Sequence, residues 1–275
     1  MSVSPQLRQL IDAVSPYWSG EAEVVRTYWT WPGRTRETDR RWLTRQCYKE
    51  LLGTGLGLAT GSRGEELGPF RGPLERLQAA FPRIDTEIDR HEVLGLAELL
   101  KDEFTHYCAF ADAHDALALP AEPKLTPAAL SIWPEEEKLA RVRAEHREHH
   151  GALGRRACHF TEGGYCSLFS EGMRLSERPT PGYETADRLI AAACARVYGD
   201  EFGHMLKGIV GLDDEGLAES DWRTLADISV EQLRHRILMR NEQFSFPIAD
   251  PRLLELLAGH CAPLAFDYER AQMAA

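Results

Sequence analysis

The chain has 275 residues, 43% of them apolar and 27% charged, with a net charge of −11. This is ordinary for a globular protein large enough to bury a core without staples. The acidic balance disfavours nucleic acid and anionic membranes as partners, because both need neutralising Lys and Arg.

In chain order, the pattern predicts a short helix over Gln6–Val14, then an aromatic-rich segment over Tyr17–Arg36 with a turn at Pro32–Gly33. Thr38–Thr60 reads as helix, although Gly53, Gly55 and Gly57 interrupt it. Gly61–Asp85 reads as a Pro/Gly-rich connection, Thr86–Ala118 as a long helix and Leu119–Pro134 as a crossover. Helix is expected over Glu135–Arg178 with a break near Gly151 or Gly154, over Thr185–Val210 and over Ser220–Asn241. Two shorter pieces, Pro251–Gly259 and Ala262–Gln272, complete the pattern. No run alternates with β period, so the expected class is all-α. No apolar run is long enough to span a bilayer. The first residues lack the basic and apolar regions of a signal peptide, and the six cysteines form no C-x-x-C pair. The expected compartment is the cytoplasm, with reduced cysteines.

Two strings match each other: Asp102-Glu103-Phe104-Thr105-His106 and Asp200-Glu201-Phe202-Gly203-His204. Residues three apart share a helix face, so Glu103 aligns with His106 and Glu201 with His204. Both pairs fall on apolar stripes: Leu96, Leu99 and Phe110 flank the first, and Ile190, Cys194 and Val197 precede the second. An ionised carboxylate on a buried stripe costs several kcal/mol unless it is paired or bound to metal. A carboxylate-bridged di-metal centre takes a Glu from each of two helices and a Glu-x-x-His pair from each of two others. That scheme demands two further glutamates. Glu50, in Tyr48-Lys49-Glu50, and Glu162, in Phe160-Thr161-Glu162, each follow an aromatic and a polar residue and precede glycines. The expected ligands are therefore Glu50, Glu103, His106, Glu162, Glu201 and His204, arranged as two helix pairs in a weak internal repeat.

Glu65 or Glu66 could replace Glu50, and Glu171 could replace Glu162. Asp102 and Asp200 are expected to accept from the ligand histidines and fix their tautomers. Gly163 and Gly164 either open a cavity beside the metals or permit close helix packing. Tyr48, Phe110, Tyr165 and Cys166 are expected to line the site, and His159 and His235 are additional ligand candidates. His146, His149 and His150 lie among Glu and Arg and read as a solvated face.

On these residues the chain resembles the ferritin-like non-heme di-iron oxidases and oxygenases. The doubled Asp-Glu-x-x-His is most similar to the branch containing p-aminobenzoate N-oxygenase. Glu162 matches that branch's spacing to its motif, while Glu50 lies farther from Asp102 than the branch pattern and Glu65 or Glu66 would fit. Val197 stands where the branch carries an extra histidine. The heme-oxygenase-like di-iron fold ranks second: Asp200 and His204 match its Asp-x-x-x-His, but Leu99 stands where its first helix carries a glutamate.

The resemblance covers roughly Thr38–Gly211 and implies a ferritin-like four-helix bundle at about 38–211; the expected domain is 1–275, with accessory helices at 1–37 and 212–275. It implies two iron ions, with manganese an alternative, and O2 as co-substrate. It further implies a small organic substrate, an external electron donor and a monomer or homodimer. Amine N-oxygenation leads among the expected reactions. C–H hydroxylation, desaturation and ferritin-type ferroxidase activity are alternatives, and a metal-free helical interaction protein is the remaining class.

Overall fold

The computed structural model describes residues 4–53, 79, 81–161, 167–206, 209 and 211–267. The protein is all-helical: among the described residues there are eight α-helices and no strand, only an isolated bridge between Ile84 and Ile88. The chain divides into two compact units, one of Met1–Trp42 with Ile132–Ala275, the other of Leu43–Ser131.

The first unit begins with α1 (Pro5–Trp29). The Ser4 hydroxyl accepts from Leu7 N–H at 3.0 Å, and Pro5 opens the helix where a missing N–H costs nothing. The sequence pattern ends a helix at Val14, yet α1 runs straight through Pro16. An interior proline costs about 3 kcal/mol. Burial of Leu10, Ile11, Val14, Trp18, Val24 and Val25 on one continuous helix offsets it.

α2 (Arg36–Gly53) starts where the Thr35 and Thr38 hydroxyls accept from each other's backbone N–H at 3.2 and 2.9 Å. Glu37 and Asp39 in its first turn suit the helix dipole. α2 begins in the first unit and its last turns belong to the second.

The rest of the first unit comprises α4 (Pro134–Phe160), α5 (Ser167–Met173), α6 (Glu184–Leu206), α7 (Glu219–Gln243) and α8 (Asp250–Leu257). α7 packs on both α1 and α4, and α5 packs on α6 and α1. Two helices that the sequence reading set outside the core bundle, α1 and α7, pack directly together. Residues 262–267, expected to be helical, are not.

The expected break in α4 falls at Gly151, whose φ of 53° favours glycine. The kink brings the next turn back onto the preceding one: a Cβ at Gly154 would strike the His146 carbonyl.

Two buried ion clusters hold this unit. On α1, Glu21 accepts from Arg236 at 2.8 and 3.0 Å and from Arg240 at 2.8 and 2.9 Å. Burial alone would raise the Glu21 pKa, but the charges and hydrogen bonds of Arg236 and Arg240 bring it down to about 2. Arg34 donates to Asp39 at 3.1 Å and to Asp187 at 2.6 Å, with the Tyr183 ring 4.5 Å from its guanidinium carbon. Burial raises the Asp39 pKa despite Arg34.

The second unit holds the end of α2 and α3 (Arg90–Ala116). α3 starts four residues later than the sequence pattern predicts, because Asp89 caps it by accepting from His91 N–H at 2.6 Å. Between α3 and α4 the chain is non-helical apart from a short turn at Pro127–Ala129, as the prolines of the expected crossover require.

Candidate metal centre

α2 and α3 bring three expected ligands together within the second unit: Glu50 from α2, and Glu103 and His106 from α3. Glu103 and His106 share a face because they are three residues apart. Their neighbours report the same orientation: Phe110, one turn on, is fully buried, whereas Phe104 is exposed and Asp102 partly so.

The side chains of His106, Glu50 and Glu103 are 0%, 4% and 9% exposed. His106 Nδ1 lies 3.6 Å from Glu50 Oε2 and 3.8 Å from Glu103 Oε2. One donor atom from each residue lies within 4.8 Å of the other two. These separations are longer than an N–H···O hydrogen bond of about 3 Å. Ligand atoms held about 2.0–2.2 Å from one ion sit roughly 3–4 Å apart, the spacing found here.

The mixed oxygen and nitrogen set suits iron, manganese or zinc. The three residues present therefore fit a metal ion.

The two helices bury apolar residues near these positions in sequence: Leu43, Cys47 and Leu51 on α2 and Phe110 on α3 are buried, and Tyr48 and Tyr107 nearly so. Burial pushes the Cys47 thiol well above its usual range, and the Glu50 charge adds to the effect. Cys47 therefore remains a thiol, with Sγ donating to the Tyr107 carbonyl at 3.9 Å. Burial likewise raises the Tyr107 phenol to about 12.

Sequence reasoning missed Gln46. It is 3% exposed, and its Nε2 donates to Glu50 Oε1 at 2.5 Å. The available signal was position, since a residue four before a helical ligand lies on the ligand's face.

The other expected residues divide into three groups. Glu162, Gly163, Gly164, Tyr165, Cys166, Glu65 and Glu66 lie outside the described residues. Asp200, Glu201 and His204 lie on α6, but their side chains are outside the description. The stripe leading to them, Ile190, Cys194 and Val197, is fully buried.

Several expectations are corrected or redirected. Asp102, expected to brace a histidine, pairs with its neighbour Lys101 at 3.1 Å on a partly exposed face. Glu171, the rival to Glu162, is buried in ion pairs with Arg26 at 2.9 Å and Arg174 at 2.8 Å. His159 is exposed. His235 is half-buried on α7, and its Nδ1 has no hydrogen-bond partner among the described residues.

His146 overturns the reading of its cluster as solvated. His149 and His150 are exposed, but His146 is buried. Its Nε2 lies 3.2 Å from Glu231 and its Nδ1 is 3.1 Å from the amide nitrogen of Gln232. The kink at Gly151 turns one face of a highly charged helix inward onto α7, which helical periodicity alone does not encode.

Comparison of the chain with protein-family models, with curated proteins and with solved structures finds no match.

Proposed function

We propose that this protein is a ferritin-like di-iron oxidoreductase that uses O2 to oxidise a small organic substrate, with amine N-oxygenation the leading reaction. The observation that carries the reading is the buried grouping of Glu50, Glu103 and His106 at metal-ligand separations. Glu162, Glu201 and His204 are assigned to the second ion from sequence alone: Glu201 and His204 by the repeated Asp-Glu-Phe-x-His string, and Glu162 by the likeness of Phe160-Thr161-Glu162 to Tyr48-Lys49-Glu50.

In this reading Glu50 and Glu103 supply anionic oxygen and His106 supplies nitrogen to the first ion. The near-complete burial of the three side chains restricts water at that position. Bound ferrous iron supplies electrons for activating O2. One oxygen atom passes to the substrate and the other leaves as water, with two electrons and two protons from an external donor.

The test is anaerobic loading with ferrous iron followed by mixing with O2. The proposal expects O2 consumption with a transient visible absorbance. A protein that takes up no ferrous iron, or holds it without consuming O2, contradicts it. Assembly into a hollow shell of many copies would move the assignment from substrate oxidation to iron storage.

A further inference from the structure

Gln46 is buried on α2 one helical turn before Glu50, and its amide donates to Glu50 Oε1. The opposite oxygen, Oε2, is the one that lies 3.6 Å from His106 Nδ1. One carboxylate oxygen is thus held from behind while the other faces the donor group.

We infer that Gln46 is a positioning residue that fixes the Glu50 carboxylate for metal binding, an inference that rests on the metal-centre reading above. Side-chain freedom must be lost when a ligand is fixed, and that loss weakens binding unless the fold has already imposed it. A buried amide four residues away on the same helix imposes it in the folded protein, before any ion arrives.

The chemistry of the amide matters as much as its place. A Lys or Arg here would neutralise Glu50 and compete with a cation. A neutral amide orients the carboxylate and leaves its negative charge available. A Glu at this position would repel Glu50, and a Met would fill the space without donating. Outer-shell partners of this kind commonly contribute 10–100-fold in metal affinity.

The experiment compares wild type with Gln46→Met and Gln46→Glu by titrating the metal-free 275-residue chain with Co2+. Visible absorbance reports coordination, and thermal unfolding of the metal-free protein reports fold. Wild type is expected to bind Co2+, and the variants to bind about 10–100-fold more weakly with an altered visible spectrum. At least one variant should keep the metal-free unfolding temperature of wild type. Wild-type affinity and spectrum in either folded variant overturn the inference and leave the metal centre standing. Failure of both variants to fold also overturns it, because Gln46 is then needed for folding rather than for positioning. A wild-type protein that binds no Co2+ removes the metal centre and the inference together.

Discussion

His106 Nδ1 and Glu50 Oε2 approach to 3.6 Å although they come from different helices and 55 intervening residues separate them in the chain, from Leu51 to Thr105. Neither residue is exposed. The approach is too long for a good hydrogen bond and suited to a shared ion. Glu103→Gln and His106→Ala should therefore abolish the rise in unfolding temperature that ferrous or cobaltous ion gives the wild type. Anything that binds only the folded state stabilises it by mass action, so loss of binding removes the shift. Calorimetry with and without metal checks this, and an undiminished shift in both variants contradicts it.

The Glu21 cluster makes a prediction about acid. Glu21→Gln leaves Arg236 and Arg240 buried without their carboxylate and should destabilise the fold by about 3–5 kcal/mol. The Glu21 pKa is lowered from 4.5 to about 2 in the folded protein. Its contribution is complete above the unfolded value and is lost as pH falls through the folded one. Urea unfolding of wild type and Glu21→Gln should show a constant gap above about pH 5 that narrows steadily toward pH 2.

Arg34 sits between Asp39 and Asp187 with aromatic rings around it. Arg34→Met should cost about 3–5 kcal/mol, since it strands two buried carboxylates. Arg34→Lys should also destabilise, because an ammonium cannot reproduce the fork that meets both carboxylates or stack on Tyr183. Urea midpoints for the two variants test this, and a wild-type midpoint for the lysine variant contradicts it.

Gly154 faces the His146 carbonyl across the α4 kink. Gly154→Ala should destabilise by about 1–3 kcal/mol through overpacking, although alanine is the better helix former. If the alanine variant is more stable in thermal unfolding, the close approach is not maintained in solution.

Much of the helical order was legible because apolar residues recur at helical spacing and Pro and Gly mark the connections. The continuity of α1 was not, because Pro16 is a local breaker overruled by the burial of residues on both sides of it. The roles of α1 and α7 were also hidden. Glu21, Arg236 and Arg240 look like surface charges until α1 and α7 are packed together, and Glu21 is more than 200 residues distant in sequence from either arginine.

Within the site, Glu103 and His106 were legible from one motif, since helix geometry alone sets them on one face. Glu50 required a weaker argument from the repeat, and the structure places it beside His106. Gln46 escaped because a buried glutamine has no signature until its partner is known. Asp102 was singled out by its place in a repeated motif, and the structure pairs it with Lys101 on a partly exposed face.

The proposed function requires that Glu50, Glu103 and His106 hold a metal ion. Iron quantitation on the 275-residue chain, reconstituted anaerobically with ferrous iron and desalted, decides it. Wild type should hold two irons per chain, with bound iron lost in Glu50→Ala and in Glu162→Ala. Wild-type protein with no bound iron, or variants that retain the full two, would contradict it.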